Sequence, residues 1–399
     1  MATFDLERLF NRIRTLEIHT PQGVSGQLSK ESSFVFNYRP VADEAAISLV
    51  MPVRQQSYSS GELMGVFSMN RPEGYLRYMI EERLKRLGAP SDMFLLFLAG
   101  GNQIGRLRYA LPGEAVPDSP GEDLQELLSE PSAALFQRLV TQYALGSGIS
   151  GVQPKTLVPL AATAAERASL PLKSVIVKAE GADYPGLARN EFFCLSVAKE
   201  AGLDVPPFWL SDDGQLFLMG RFDRLDDGTA LGFEDFAVLT GRTARQKYEG
   251  SYEMLARAVA QFCGDNSAQV LRQLYARVAL SCLLRDGDAH LKNFGLLYAH
   301  PAAERRLAPV YDVVCTDLYP ELDGKLALKL NQRKTFPDQA ELLEYGKRLG
   351  LEHAEARATL DNIMAACERV LARLCDDPRY QDDLLVRLRA AIVEKWESH

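Results

Sequence analysis

Several residue types and motifs are scarce in this 399-residue chain, and their scarcity excludes whole classes of protein. The six cysteines are scattered through apolar segments without a C-x-x-C pair, which argues against a zinc ribbon and a disulfide framework. With five histidines and no G-x-S-x-G motif, the chain lacks a recognisable hydrolase triad. The sequence therefore predicts reduced thiols and a chemistry that rests on other residues.

Long apolar runs are also lacking. The start, "MATFDLERLFNRIR", has no continuous apolar core of a secretion signal, and no apolar run approaches the roughly 20 residues that cross a membrane. The net charge of −8 disfavours a non-specific coat of nucleic acid. A hydrophobic fraction of 47% and a charged fraction of 25% are typical of a packed globular protein. We therefore expect a cytoplasmic protein without membrane contact that could reach DNA only indirectly.

Strand-like and helix-like segments are unevenly distributed along the chain. The first third combines strand-like stretches, "SSFVFNYRP", "AISLVMPV" and "QIGRLRYAL", with an amphipathic helix, "EGYLRYMIEERLKRLGA". A segment dense in proline and glycine, "LPGEAVPDSPGED" (111–123), predicts a domain boundary. Helices dominate from about residue 250. We therefore expect an α+β protein with domains at 1–115, 124–245 and 246–399, the first β-rich and the last mostly helical.

The glycine-rich stretch "GSGISG" (146–151) is a candidate phosphate-binding loop. It matches G-x-G-x-x-G, but a helix precedes it and strand-like residues follow, which is the wrong context for a dinucleotide-binding fold. In a protein kinase, a glycine-rich loop precedes strands and lets backbone amides approach the phosphates of ATP. The context favours the kinase interpretation, with a plain Gly/Ser turn as its alternative.

A lysine and a glutamate thirteen residues apart agree with that interpretation. Lys178 ends the apolar run "SVIV", where a strand lysine can reach into a cleft and bind phosphate. Glu191 opens the helix "RNEFFCL", and kinases use a helix glutamate to hold the strand lysine. Neither residue is decisive alone, because snorkelling lysines and first-turn acids are common.

The stretch "RDGDAHLKNFG" (285–295) is the most specific signal. A kinase catalytic loop has an aspartate, which accepts the proton of the substrate hydroxyl, and an asparagine four intervening residues later. Asp288 and Asn293 have this spacing, so Asp288 is the predicted catalytic residue and Asp286 a structural residue that caps the loop. Asp312, predicted to end a short strand in "RRLAPVYDVVC", offers with Asn293 the oxygen donors that Mg2+ prefers.

Taken together, these motifs resemble the HipA-like serine/threonine-protein kinases, the toxins of HipBA-type toxin–antitoxin modules. The resemblance covers nearly the whole chain and rests on the following stretches: "FSMNRPEGYLRYMIEERL", "SGVQPKTLV", "IVKAEG", "NEFFCLSVAKEAGLDVP", "GRFDR", "EDFAVLTG", "KYEGSY", "GDAHLKNFGL" and "LAPVYDVV". It implies a two-lobed protein-kinase-like fold with an added N-terminal β-rich domain, and an activity that uses ATP and Mg2+.

The resemblance also implies roles for individual residues. The phosphate-binding loop would consist of Ser150, Gly151, Val152, Gln153, Pro154 and Lys155. Lys178 would be the phosphate lysine, and Glu191 its partner. The adenine-side hinge would be Gly220, Arg221 and Phe222. The remaining nucleotide or metal neighbours would be His290, Lys292, Asn293, Tyr311 and Asp312. We interpret His290 as an organising or phosphate-proximal residue, because a loose phosphoryl transfer needs no strong base.

Self-inactivation and partners are further implications of the resemblance. Members of the family phosphorylate a serine in their own glycine-rich loop, but the position best aligned with it is Gly148, so Ser150 or Ser147 would have to serve here. Known targets of the family include aminoacyl-tRNA synthetases, and the usual partner is a HipB-like helix-turn-helix antitoxin that binds operator DNA. The protein substrate of this chain does not follow from its sequence.

Two alternatives stay open. One is a binding-only partner of the antitoxin that represses transcription without transferring phosphate, although the intact set of Lys178, Asp288, Asn293 and Asp312 argues against it. The other is a small-molecule kinase of the aminoglycoside-phosphotransferase type. The stretch "NEFFCLSVAKE" and the N-terminal third disfavour that alternative, because such enzymes do not need them.

Overall fold

The N-terminal part of the protein is built on an antiparallel sheet. The computed structural model describes residues 6–114, 121–143, 153–161, 174–181, 183–225 and 227–397. The strands of the sheet, in the spatial order β4-β3-β2-β1-β5, are β1 (Thr15–Thr20), β2 (Gly23–Lys30), β3 (Phe34–Tyr38), β4 (Tyr58–Ser60) and β5 (Arg108–Ala110). The accompanying helices are α1 (Leu6–Leu9), α2 (Gly65–Ser68), α3 (Gly74–Leu84) and α4 (Asp92–Ala99).

One face of this sheet is covered by helices. Leu16, Ile18, Leu28 and Phe36 are fully buried, as the alternation of apolar and polar residues in β1 to β3 requires. Phe36 packs on Phe67 of α2, with ring centroids 5.7 Å apart. The β-rich character expected of this region is confirmed.

Two strand predictions need correction: the one at 46–53 is wrong, and the one at 103–111 is too long. Residues 46–53 form a turn with one bridge, between Ser48 and Met51, because buried Glu234 accepts hydrogen bonds from the Ser48 hydroxyl and the Leu49 N–H. In the stretch 103–111, the strand β5 covers only residues 108–110, because the Gly105 N–H donates to the Asp223 carboxylate and not to a neighbouring strand.

A second antiparallel sheet forms the smaller lobe of the remaining chain. Its strands, in the order β6-β7-β9-β8, are β6 (Lys155–Pro159), β7 (Ser174–Ala179), β8 (Phe208–Leu210) and β9 (Leu216–Gly220). The helices of this part are α5 (Leu124–Ser129), α6 (Ser132–Tyr143) and α7 (Leu187–Glu200). Lys155 lies directly opposite Lys178 in the β6–β7 pair, so both side chains leave the same face of the sheet.

The C-terminal part is mostly helical, as predicted. A small sheet of β10 (Gly232–Asp235), β11 (Gly295–Tyr298) and β12 (Arg306–Leu307) joins the lobes. The helices are α8 (Phe236–Leu239), α9 (Tyr252–Phe262), α10 (Ser267–Leu283), α11 (Gln339–Arg348), α12 (His353–Leu374), α13 (Leu384–Arg389) and α14 (Lys395–Glu397). Val270, Leu274 and Val278 of α10 are fully buried and give the following loop a rigid base. Among the described helices, none combines the length and apolar character that a membrane span requires.

The six cysteines are free, and five of them are buried; Cys375 is exposed. Burial raises the pKa of the Cys263 thiol to about 11 and the pKa values of Cys315 and Cys367 to about 12. These thiols therefore behave as small apolar side chains rather than as nucleophiles.

A buried carboxylate connects the N-terminal domain to the smaller lobe. Asp223 is fully buried and accepts hydrogen bonds from Arg221 at 2.5 Å, from Arg224 at 2.8 Å and from the Gly105 N–H at 2.7 Å. Burial alone would raise the pKa of Asp223, but the two guanidinium groups hold it below its ordinary value. The division of the chain at residues 115, 124 and 245 stays a prediction, whereas this junction shows that the parts are in intimate contact.

We predict that Asp223→Ala destabilises the protein, because it leaves the buried Arg221 guanidinium and the half-buried Arg224 guanidinium without their carboxylate. The expected cost is about 3–5 kcal/mol in the free energy of unfolding, measured by urea denaturation. Asp361→Ala is the matched control. It also removes an aspartate that pairs with an arginine, but the pair of Asp361 and Arg357 is exposed on the surface of α12, with 3.7 Å between the charged groups. An Asp223→Ala midpoint equal to that of Asp361→Ala would contradict the prediction.

Candidate active site

A cleft between the four-stranded sheet and the helical lobe collects most of the predicted residues. Its cavity has a volume of about 760 Å³. The predicted residues that line it are Gln153, Pro154, Lys155, Lys178, Phe222, Asp288, His290, Lys292, Asn293, Tyr311 and Asp312. Residues far apart in the sequence therefore meet at one place.

Other predicted residues lie elsewhere. Four belong to the part of the chain that the structure does not describe: Ser147, Ser150, Gly151 and Val152. Gly220 ends β9, and the Arg221 guanidinium turns to Asp223, so the Arg221 side chain supports the domain junction and not the cleft. Phe222 does face the cleft and stacks on Tyr311, with ring centroids 5.1 Å apart and an interplanar angle of 24°.

Lys178 lies at the centre of a buried charge cluster. Its ammonium donates to Glu191 Oε1 at 2.5 Å and to Asp312 Oδ1 at 2.7 Å. The ammonium of Lys155 is 3.8 Å from Asp312 Oδ2. The side chains of Lys178 and Glu191 are only 3% and 0% exposed, so the pair is shielded from solvent. Two lysines opposite each other in a sheet repel, and the two carboxyl groups compensate for that repulsion.

The helix α7 fixes Glu191 in this cluster. It begins at Leu187, so Glu191 lies in its second turn and does not open the helix as predicted. The neighbouring side chain, Asn190, donates to the Cys315 carbonyl and accepts from the Cys315 N–H, both at 2.9 Å. These bonds join α7 to the loop that follows Asp312.

The cluster shifts the proton affinities of its members. Burial alone would raise the pKa of Asp312, but Lys155 and Lys178 hold it far below its ordinary value. Burial alone would lower the pKa of Lys178, but Asp312 and Glu191 raise it. Burial lowers the pKa of Lys155, which has a weaker carboxylate contact. The cleft therefore presents an ionised Asp312 beside a charged Lys178.

The loop after α10 separates two aspartates. Asp286 is fully buried, and its carboxyl group accepts from the Asp288 N–H at 3.1 Å and from the Ser281 hydroxyl at 3.3 Å. Asp288 lines the cleft and accepts a hydrogen bond from the Tyr248 hydroxyl at 2.7 Å. Burial raises the pKa of both carboxyl groups, that of Asp286 well above its ordinary value. Of the two, only Asp288 is placed to meet a ligand in the cleft.

Asn293 and Asp312 provide oxygen atoms at the inner wall. The Asn293 amide group donates to the backbone carbonyls of Asp288 at 2.9 Å and Asp312 at 3.3 Å, which directs its carboxamide oxygen away from both. An amide oxygen and an ionised carboxylate are hard donors. They fit a Mg2+ ion, which takes one or two protein oxygens and completes its shell with water and phosphate.

The backbone at Asp312 differs from the prediction. The strand β12 ends at Leu307, and Asp312 lies five residues later in a left-handed conformation with φ 55°. The chain leaves the sheet because the Val310 N–H donates to the Asp204 carbonyl at 2.7 Å and not to a neighbouring strand. Aspartate is one of the few residues that tolerate this conformation, so the predicted strand end is wrong although the residue lies in the cleft.

His290 is a buried neutral imidazole. Burial, with a contribution from Lys247, lowers its pKa to about 3. The ring lies edge-on to Tyr248, with ring centroids 5.1 Å apart, and its Nδ1 atom has no hydrogen-bond partner among the described residues. The interpretation of His290 as an organising or phosphate-proximal residue stays a prediction.

Several residues of the site were missed by sequence reasoning. Tyr248, 42% exposed, lies in the stretch "KYEGSY", which contributed to the resemblance without being assigned a role. Arg277 is buried in α10 and donates to the Tyr311 carbonyl at 2.6 Å; the apolar periodicity of that helix concealed it. The N-terminal domain also lines the cleft, through Met69, Glu73, Tyr75 and Ile104. No sequence pattern predicted these contacts between domains.

Two protein-family models match the chain. The model of the HipA N-terminal domain matches residues 16–110, and that of the HipA-like C-terminal domain matches residues 147–371. The second model contains the cleft residues Lys178, Asp288 and Asp312. The two matches together span both the N-terminal sheet and most of the helical lobe.

Two relatives and a solved structure agree with these matches. The candidate kinase Y4mE of Sinorhizobium fredii is 28% identical over 403 residues, 92% of this chain and 93% of that protein. The candidate kinase Y4dM of the same organism is 30% identical over 288 residues, 67% of this chain and 66% of that protein. In the complex of HipA, HipB and operator DNA from Shewanella oneidensis, one chain is 18% identical, with a TM-score of 0.69 over 96% of this chain and 97% of that chain. This likeness confirms the predicted fold.

The different environments of Asp286 and Asp288 predict different costs of substitution. Asp286→Ala leaves a buried N–H and a buried hydroxyl without an acceptor, so we expect a loss of about 1–3 kcal/mol in the free energy of unfolding. Asp288→Ala is the matched control within the loop, because its carboxyl group bonds only to the exposed Tyr248 hydroxyl among described side chains. Thermal unfolding monitored by circular dichroism compares the two variants. Equal destabilisation would contradict the structural role of Asp286.

Proposed function

The chain belongs to the HipA family, and we propose that it is an ATP-dependent serine/threonine-protein kinase and the toxin of a toxin–antitoxin module. The observation that carries the proposal is the single cleft in which Lys178, Asp288, Asn293 and Asp312 meet. Each of these side chains has the chemistry that phosphoryl transfer from ATP to a hydroxyl requires. The names of two relatives as candidate kinases support it.

The charge cluster suits the binding of phosphate groups. Lys155 and Lys178 leave the same face of the sheet, and two ammonium groups can neutralise the negative charge that accumulates on a transferring phosphoryl group. Glu191 holds Lys178 from behind, within the core. Asn293 and Asp312 would hold a Mg2+ ion, which would supply further neutralisation of phosphate charge. The stacked rings of Phe222 and Tyr311 offer an apolar surface for a purine.

Asp288 would receive the acceptor hydroxyl. Its carboxylate already accepts a hydrogen bond from a hydroxyl, that of Tyr248 at 2.7 Å, which is the geometry that a serine or threonine hydroxyl would need. The carboxylate would orient this hydroxyl and take its proton as the hydroxyl oxygen bonds to the γ-phosphorus and the bond from that phosphorus to the bridging oxygen of the departing ADP breaks. Burial lowers the pKa of His290 to about 3 and raises that of Asp288 above its ordinary value, so His290 is the weaker base of the two.

Self-inactivation and partners form the finer part of the proposal. We expect phosphorylation of Ser150 or Ser147 in the glycine-rich loop, which would eject the loop from the ATP site and inactivate the kinase. The solved complex that shares this fold contains HipB and operator DNA, so a HipB-like helix-turn-helix antitoxin is the proposed partner, and DNA contact would be indirect. An aminoacyl-tRNA synthetase is the proposed class of protein substrate.

Labelled ATP and Mg2+ test the central claim. The purified protein, alone and with cell extract, should transfer label to protein serine or threonine, and Asp288→Asn should lower the rate by at least ~100-fold. Asp323→Asn is the matched control, since Asp323 also lines the cleft but is 71% exposed at its side chain. Peptide mapping should place self-phosphorylation on Ser150 or Ser147.

Other outcomes of this experiment would contradict the proposal. A parent protein that neither binds ATP nor labels any protein would refute the kinase assignment. Label confined to a small metabolite would favour a small-molecule kinase instead. Equal activity of Asp288→Asn and Asp323→Asn would refute the role of Asp288.

Tyr248 should tune the pH dependence of transfer. Its hydrogen bond lowers the pKa of Asp288, which burial has raised, so Tyr248→Phe should raise that pKa further. Because transfer requires the carboxylate form, activity should fall at a higher pH on acidification than in the parent. The pH profile of kcat/KM measures this shift. Tyr319→Phe is the control, since Tyr319 lines the cleft but bonds to Asn190. An acid limb that stays in place or moves to lower pH would refute this role.

A further inference from the structure

A side chain of the N-terminal domain reaches into the catalytic loop. Glu73 immediately precedes α3, and its Oε2 atom accepts a hydrogen bond from the ammonium of Lys292 at 2.8 Å. The two residues are 219 positions apart in the chain. Lys292 lies between Asp288 and Asn293 in sequence, and both Glu73 and Lys292 line the cleft. The ion pair therefore belongs to the wall of the site.

The backbone of Lys292 is held independently of this pair. Its carbonyl accepts from the Tyr311 hydroxyl at 2.9 Å, and the next residue, Asn293, is bonded to the carbonyls of Asp288 and Asp312. The four-carbon side chain of a lysine nevertheless has many rotamers. Among the described residues, Glu73 is the carboxylate in direct contact with this ammonium, while Asp235 acts on it at longer range.

Glu73 is itself restrained. The preceding Arg71 donates to Asp92 at the start of α4 at 2.6 Å, and its guanidinium is 4.0 Å from Glu73 Oε1. The Lys292 and Glu73 side chains are 11% and 20% exposed, so water screens their attraction less than that of a surface pair. The Oε1 atom of Glu73 is buried and has no hydrogen-bond donor among the described residues, so the carboxylate is not saturated by its own domain.

Two other contacts at the domain junction do not involve residues that line the cleft as Lys292 does. Asp223 and Glu234 are fully buried and bond to groups that do not line the cleft, among them Gly105 and Ser48. They can hold the domains together without touching a ligand. The contact of Glu73, by contrast, ends at a lysine whose ammonium has three donors, so it can bond to a carboxylate and a phosphate oxygen at once.

We propose that Glu73 is a positioning residue of the nucleotide site, supplied by the N-terminal domain, which holds the Lys292 ammonium where it meets a phosphate of the nucleotide. This inference rests on the proposed function, because it assumes that the cleft binds ATP. It assigns the N-terminal domain a direct part in ligand binding. A protein that lacked this domain would keep Lys178, Asp288 and Asp312 but would leave the Lys292 ammonium without its Glu73 partner.

The test compares ATP with adenosine, which lacks phosphate. Titration calorimetry at fixed ionic strength with Mg2+ should show that Glu73→Gln weakens ATP binding roughly five-fold and leaves adenosine binding unchanged. Glu73→Asp, which keeps the charge, should recover part of the ATP affinity. Glu81→Gln is the matched control, since Glu81 lies on α3 and pairs with Arg77 at the surface, 2.7 Å away. Circular dichroism verifies that each variant is folded.

A double-mutant cycle with Lys292→Met separates positioning from a structural role. If Glu73 acts through Lys292, Glu73→Gln should not weaken ATP binding further in the Lys292→Met background. The inference is overturned if Glu73→Gln binds ATP as the parent does, if it loses affinity for adenosine equally, or if its effect is undiminished in that background. A parent that binds no ATP would overturn the proposed function itself, which is a distinguishable result.

Discussion

The ion pair of Lys178 and Asp312, 2.7 Å apart inside the cleft, is the interaction on which the rest of the site depends. The Lys178 side chain is only 3% exposed, whereas that of Asp312 is 31% exposed. A buried ammonium without a carboxylate partner costs several kcal/mol, so Lys178 depends on its carboxylate contacts more than Asp312 does. The second carboxyl group, Glu191, and the second lysine, Lys155, extend the pair into a cluster of alternating sign. Without a ligand, the two ammonium groups are paired with carboxyl groups. When a polyanionic ligand enters the cleft, the same ammonium groups are available to bind it.

Three separate parts of the fold deliver these groups. The β6–β7 register puts the two lysines on one face of the sheet, α7 brings Glu191 from behind, and the loop after β12 carries Asp312 in a left-handed conformation. Asn190 joins the last two parts through Cys315. A displacement of any one part would leave a buried charge unpaired, so the geometry of the cleft and the stability of the lobes are coupled.

Local sequence patterns predicted the site residues that lie close together in the chain or follow a recognisable strand. Asp288 and Asn293 are five positions apart in one loop, and Lys178 follows an apolar strand, so spacing and periodicity reveal them. Contacts between distant segments leave no such trace. Glu73 meets Lys292 across 219 positions, and the loss of the expected strand at 46–53 depends on Glu234, which lies in another part of the chain. The early end of β12 likewise involves a tertiary hydrogen bond, from the Val310 N–H to the Asp204 carbonyl.

The burial of the cysteines has a practical consequence for studying this protein in solution. Five thiols are inaccessible, and the remaining one, Cys375, is exposed just after the long helix α12, well separated in sequence from every cleft residue. A maleimide dye should therefore attach at one position without prior removal of the other cysteines. A donor dye on Cys375 would therefore mark the helical lobe. Energy transfer to an acceptor dye on a ligand or partner would then report the distance between the two dyes.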